Sequence, residues 1–282
     1  MCTQKFSFEF FPPRTDKGIE NLKHTRTTLA TLNPAFFSVT YGAGGTTQDS
    51  TLETVITIQQ ESGINAAPHL SCIGSSKAQM RDILTTYKDN NITRIVALRG
   101  DIPSGMQDIG EFHYANELVS FIREETGDHF HLEVAAYPER HPQAKSYHHD
   151  LENFIRKIKA GSDSAITQYF YNIDAYQYFI DDCEKAGIDA PIVPGIMPIT
   201  NFSNLARFSD ACGADIPRWL RTRLEGYGDD LDSIQKLGTE FVTEMCAKLL
   251  AQNVPGLHFY SMNRVEPSMS IWNNLGLSED SR

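Results

Sequence analysis

The chain has 282 residues, 40% of them hydrophobic, and a formal net charge of −11. It can therefore bury a large core, and it offers no basic stripe for nucleic acid or an anionic membrane. No apolar run reaches the ~18 residues of a membrane span. Five scattered cysteines (Cys2, Cys72, Cys183, Cys212, Cys246) form no C-x-x-C pair, which reads as reduced thiols in a cytoplasmic protein and not as a metal site or disulfide framework. "MCTQK" runs into a strand-like segment with no signal peptide before it.

The first strand pattern, "KFSFEFF", sets Glu9 among Phe6, Phe8, Phe10 and Phe11. A desolvated carboxylate is costly unless it is paired or protonated. Glu9 is thus either an exposed edge residue or an acid whose setting serves chemistry. A helical pattern over 17–32 leads to "AFFSVTY" with Thr40, then to "GAGG". After a helix over 49–61, "NAAPHLS" carries His69, which reads either as a satisfied core histidine or as a ligand. A helix over 76–90 precedes "TRIVALR", whose end brings Arg99, Gly100 and Asp101; the last could simply pair with Arg99. Following a helix over 111–125, "LEVAAY" runs into "PERH", with Tyr137 and His141. The helix "HHDLENFIRKIKA" aligns Asp150, Asn153 and Arg156 at i, i+3, i+6 beside Lys157, either as a solvated face or as a grip on a dinucleotide's diphosphate and ribose. In "SAITQYFY" strand alternation groups Ile166, Gln168 and Phe170 on one face. Helix 174–187, the strand "PIVPGIM", helices 201–212 and 230–252, and the strand "LHFYSMN" before Arg264 complete the chain.

Eight strands, each followed by a helix, are what a (β/α)8 TIM barrel requires, here as a single α/β domain over 1–282 with extra helices near 215–252. A length prior of about 150 residues per domain would suggest two domains, but such barrels run to about 250 as one. The rival, a doubly wound sheet, lacks its G-x-G-x-x-G turn after the first strand. In a barrel the chemistry sits where strands end, and seven of the eight predicted strand ends are polar.

The segments "FEFFPPR", "VTYGAGG", "APHL", "ALRGD", "AAYPERHP", "ITQYF", "PGIMPI" and "FYSMNR", taken in order, resemble the methylenetetrahydrofolate reductase family, in its short bacterial form without a regulatory domain. The resemblance implies noncovalent FAD, NADH or NADPH as donor, and ping-pong reduction of 5,10-methylenetetrahydrofolate to 5-methyltetrahydrofolate, feeding methionine synthesis. It implies Glu9 as general acid and Asp101 as the acidic residue between flavin and pterin. It places Thr40, Tyr41, Ala43, His69, Leu98, Arg99, Gly100, Asp101, Tyr114 and Ala115 at the flavin, with Ala135, Tyr137, His141, Ala144, Asp150, Asn153, Arg156, Lys157 and Ile166. Glu9, Asp101, Gln168, Asn204, Phe208 and Arg264 fall at substrate positions. A homodimer or homotetramer is expected on the same ground. Gln48, Asn172 and Asn204 depart from the family's common residues. The phenylalanines beside Glu9 are expected to raise its pKa and keep it a usable acid. A proline-dehydrogenase-like flavin barrel and a non-catalytic folate- or flavin-binding subunit are the alternatives.

Overall fold

The structure, a computed structural model, describes residues 4–40, 45–101 and 110–277. Parallel strands β1 (Lys5–Phe10), β2 (Phe36–Val39), β3 (Ala66–Ser71), β4 (Arg94–Leu98), β5 (His131–Ala136) and β6 (Ser164–Thr167) pair in chain order. The seventh predicted strand is split into β7 (Ile192–Val193) and β8 (Gly195–Ile196) around Pro194. β7 pairs with β6, and β8 pairs with β9 (Gly256–Tyr260), which in turn pairs with β1. Proline has no N–H for a ladder, so it marks the break. Its carbonyl still accepts from His258 N at 3.0 Å, and the broken strand closes the barrel.

Between the strands run α1 (Asp16–Ala30), α2 (Gly45–Ser62), α3 (Lys77–Asp89), α4 (Ala115–Thr126), α5 (Tyr147–Lys159), α6 (Ile173–Lys185) and α7 (Phe202–Cys212). Helices α8 (Arg218–Gly226) and α9 (Leu231–Ala251) precede β9, and α10 (Ser268–Asn274) follows it. Side-chain caps set several starts: Thr15 accepts from Gly18 N, Ser76 from Gln79 N and Ser146 from His149 N. Among the described residues no helix is long and apolar enough to cross a membrane.

Strand alternation divides the core into two layers. Phe8, Phe10, Phe37, Leu70, Ile95, Val134 and Phe259 point outward and pack under the helices as one large apolar cluster. The inward set is smaller and more polar, with Phe36, Ala67, Val96 and Ile166 forming a compact apolar group. Ser7, Ser38 and His258 are buried with them. Phe170 does not share the face of Ile166: β6 ends at Thr167, and beyond it Phe170 turns outward to stack on Tyr176 at 5.3 Å.

Candidate active site

Glu9 occupies the inward face near the end of β1, in register with Ser38 and Tyr260 on the strands beside it. It is therefore not an edge residue, and the same alternation turns Phe6, Phe8 and Phe10 away from it. Its Oε2 lies 3.1 Å from His69 Nε2 and 3.5 Å from His258 Nε2, and accepts from Ser38 Oγ at 3.4 Å. Burial is the largest single influence and pushes the carboxyl pKa up, but the two imidazoles together outweigh it and hold Glu9 down at about 2. The expected upward shift is thus reversed. Of the aromatic neighbours in sequence, Phe6, Phe8 and Phe10 lie on the other face and Phe11 is exposed beyond the strand, while the neighbours in space are histidines.

At the strands' C-terminal ends a cleft of about 340 Å³ is lined by Asp101, Tyr137, His141, Gln168 and Phe208, with Tyr169, Met197, Cys212 and Met262. Five residues singled out from the sequence thus converge. Burial, reinforced by Asp101, pushes the Tyr137 phenol up to about 12, which keeps it a neutral hydrogen-bonding group. The His141 ring meets Tyr137 edge-on at 4.6 Å, and burial pushes its pKa down. Two larger clefts, of about 660 and 750 Å³, lie on the outer flank around α6 and α9. The mouth is the candidate site because the strand ends converge there.

The loops explain the placement. Ser71 Oγ donates to Arg99 O at 2.9 Å, and Gly100 turns with φ +86° where a Cβ would fall 1.9 Å from that hydroxyl; only glycine fits. Arg99 donates to Gly100 O at 3.1 Å and to Gln143. Its guanidinium thus turns to these oxygens and not into the simple pair with Asp101 read from the sequence. Asp150 Oδ2 accepts from His141 N at 2.7 Å and ties the β5–α5 loop to α5. The α5 stripe continues as Asn153 Nδ2 to His149 Nδ1 at 3.2 Å and Arg156 to Asn153 Oδ1 at 2.8 Å. Lys157 leaves that stripe and turns inward to donate to Ala135 O. Burial pushes its pKa down to about 8, partly offset by Asp150.

Other sequence-derived positions are placed as follows. Thr40 closes β2, donating its N–H to Phe10 O at 2.9 Å. Leu98, Ala135 and Ile166 sit on inward faces of β4, β5 and β6. Tyr114 and Ala115 open α4, and Ala144 donates its N–H to His141 O. Asn204 is exposed in the first turn of α7, Arg264 is exposed after β9, and neither lines the cleft. Asn172 caps α6 and lies in an outer cleft. Tyr41, Ala43 and the Gln48 side chain lie outside the described residues.

Sequence reading passed over His258, Ser7 and Ser38. The signal available was period-two alternation: His258 and Tyr260 share a strand face, as do Ser7 and Glu9. Met262 was also missed. It lines the cleft with φ +53°, an uncommon conformation for a non-glycine residue and one that clusters at functional sites.

The family model for methylenetetrahydrofolate reductase matches residues 2–276. The chain belongs to the methylenetetrahydrofolate reductase family. It is 43% identical over 276 residues to the 5,10-methylenetetrahydrofolate reductase of Pectobacterium carotovorum, covering 97% of this chain and 91% of that one. It is 41% identical to the Escherichia coli enzyme over 96% of this chain and 90% of that one. An Arabidopsis thaliana methylenetetrahydrofolate reductase (NADH) matches at 39% over 98% of this chain but only 49% of its own length. Among solved structures, a Clostridium thermocellum protein that binds two copies of 5-methyl-5,6,7,8-tetrahydrofolic acid superposes with TM-score 0.64 at 17% identity, over 98% of this chain and 94% of that one. At that identity the likeness carries the fold alone. This reductase acts on 5,10-methylenetetrahydrofolate, and that activity displaces the proline-dehydrogenase-like and non-catalytic alternatives.

Proposed function

We propose that the barrel mouth holds noncovalent FAD, that NADH or NADPH is the donor, and that Glu9 is the acid that opens the folate ring. The observation that carries the reading is a largely buried carboxylate, touched by two imidazoles near the C-terminal end of β1, in a barrel whose strand ends open into a cleft bearing Asp101 and Gln168.

The residues present fit the cofactor. Lys157, in the last turn of α5, is a half-buried cation suited to an anionic diphosphate, and Asn153 and Arg156 of the same helix form a polar stripe. His69 Nε2 is buried and, among the described residues, makes no hydrogen bond of good geometry. When bound, FAD would take hydride from the nicotinamide and pass it to the one-carbon unit in a ping-pong cycle.

The protein's own part is proton handling and charge. Glu9 would deliver a proton to folate N10, so that the bond from N10 to the one-carbon unit breaks and the imidazolidine ring opens to a cationic iminium at N5. In the free protein Glu9 is 15% exposed; a ligand covering the mouth removes that residual hydration and favours the protonated form. Asp101 would favour the iminium electrostatically, and the Gln168 amide would orient the pterin or nicotinamide. We take the enzyme to work in the cytoplasm as a homodimer or homotetramer, which sedimentation of the holoenzyme would measure.

The test is Glu9→Gln under anaerobic stopped flow. NADH reduction of the bound flavin should be affected far less than reoxidation by methylenetetrahydrofolate, which should fall by at least about 10²-fold. Reoxidation at the wild-type rate would remove Glu9 from its role. Failure of purified protein to bind FAD at all would remove the cofactor assignment.

A further inference from the structure

Glu9 does not stand alone in the barrel. His258, one register position below Tyr260 on the inward face of β9, is fully buried. Its Nε2 faces Glu9 Oε2 at 3.5 Å, and its Nδ1 lies 2.7 Å from Ser7 Oγ, itself buried. The ring is held on its other sides by Phe36, stacked at 6.0 Å, and by Tyr260, edge-on at 5.3 Å. Such a ring cannot rotate freely, and a buried imidazole with both nitrogens engaged holds its neighbours in a fixed hydrogen-bonding order.

Resting on the reading of Glu9 as the acid, we propose that the Ser7–His258 pair is a positioning unit of the reductase: Ser7 fixes the orientation of the buried imidazole, and the imidazole Nε2 holds Glu9 Oε2 and shares its proton. When the pair carries one extra proton, two arrangements are isoprotic. In one, Nε2–H donates to the Glu9 carboxylate; in the other, the Glu9 carboxyl O–H donates to Nε2. In both, Nδ1–H donates to the Ser7 hydroxyl oxygen, so the proton crosses the Oε2–Nε2 gap without any change at Ser7. Transfer from Glu9 to folate N10 then breaks the Glu9 O–H bond, forms the N10–H bond as the bond from N10 to the one-carbon unit breaks, and leaves a carboxylate beside a neutral imidazole. A proton from solvent restores the pair.

The other groups around Glu9 suit this division. His69 on β3 approaches the same Oε2 to 3.1 Å and is itself 12% exposed. Ser38 on β2 donates to the same oxygen, and Tyr260 on β9 gives its hydroxyl proton to Thr167 O at 2.7 Å, not to Glu9. Asp101 and Tyr137 face the cleft above. Below, Arg94 is paired with Glu133, which also meets His131 at 3.3 Å. Of these groups, His258 is the one whose remaining ring nitrogen is fixed by a buried hydroxyl.

The experiment uses FAD-loaded enzyme with Ser7→Ala and His258→Asn. Infrared difference spectra follow the protonated-carboxyl C=O band of Glu9, identified by its loss in Glu9→Gln, as a function of pH. With the imidazole lost or unfixed, burial acts on Glu9 with less opposition, so the band should appear at higher pH in both variants. The pH profile of folate reoxidation should shift with it. At neutral pH the rate should fall at least about tenfold, a part of the 10²–10⁴ that a positioned acid contributes, with a smaller change in NADH reduction. His258 fills a fully buried position, so if His258→Asn does not fold, Ser7→Ala, which keeps the ring, decides. An unchanged Glu9 band and pH profile in Ser7→Ala overturns the inference. Normal reoxidation in Glu9→Gln would instead sink the acid role, while the infrared shift tests the coupling by itself.

Discussion

At the scale of single residues, the mouth holds two carboxylates with opposite shifts, and the difference lies in their neighbours. Glu9 has imidazoles against it and is held at about 2. Glu139, in the β5–α5 loop, is pushed up to about 7, chiefly by burial, with nearby Asp215 adding to it and the Asp215 N–H, donated at 2.8 Å, opposing it. That hydrogen bond latches the His141 loop to the segment after α7, where a Cβ on Gly213 would fall 3.1 Å from Arg140 O. Glu139 binds its proton more tightly folded than unfolded, so its contribution to stability is fully present below pH 4.5 and is lost as pH rises through about 7. Glu139→Gln keeps an acceptor for Asp215 N and removes the titration. It should raise stability at pH 8 by roughly 1–2 kcal/mol, a figure reduced for the partial exposure of the group, and change little at pH 5. Thermal unfolding of both proteins at the two pH values checks this; an equal difference at both would remove Glu139 as the cause. Neither sign was readable in the sequence. Phe8 and Phe10 neighbour Glu9 along the chain, whereas His69 and His258 reach it only after the barrel closes.

At the scale of elements, strands and helices were legible because alternation and helical periodicity are local. The break at Pro194 was not, although the proline was in view, because its meaning depends on two partners. The halves of that strand serve different neighbours, β6 and β9, and the join is made by Gly195. Its N–H donates to Thr167 Oγ1 at 2.9 Å, and a Cβ there would fall 2.1 Å from Thr167 O and 2.7 Å from the Tyr260 ring. Gly195→Ala must therefore pry β6 from β8 and disturb the Tyr260–Thr167 hydrogen bond. The expected cost is roughly 3 kcal/mol, the upper part of the range for overpacking, read as a lower urea midpoint. A midpoint equal to wild type would mean the closure is looser than the structure has it. The α5 stripe illustrates the same limit. Its spacing placed Asp150, Asn153 and Arg156 together, but Lys157 turns inward to Ala135 O, a contact that only the β5–α5 packing creates.

At the scale of the whole molecule, the two ends of the barrel divide their tasks. The C-terminal ends of the strands carry the cleft, while the N-terminal ends carry an ionic network: Arg94 with the buried Glu133, Ser164 Oγ donating to Glu133 Oε2 at 2.6 Å, and, nearer the surface, Arg123 with Asp163 at 2.7 Å. Glu133 is 2% exposed, and despite its burial its pKa is lowered, by hydrogen bonds from His131 and Ser164 and by the Arg94 charge. The charges paired at this end serve the fold, as expected of the bottom face of such a barrel. Arg94→Met keeps an apolar stem over the Phe36 ring, which the guanidinium now covers at 4.4 Å, but strips Glu133 of its cation. Leaving a buried charge without its partner costs about 3–5 kcal/mol. A depressed carboxyl stabilises above its unfolded pKa and loses that contribution as pH falls. The thermal-stability gap between wild type and variant should therefore be widest near pH 7 and narrow as pH drops through the carboxylate range. Both half-reactions, measured well below the variant's unfolding temperature, should run at rates close to wild type, since Arg94 reaches neither Glu9 nor the cleft. A variant with full stability but slowed folate reoxidation would show that the lower network acts on the chemistry through Phe36 and His258, and would end the division between the two ends.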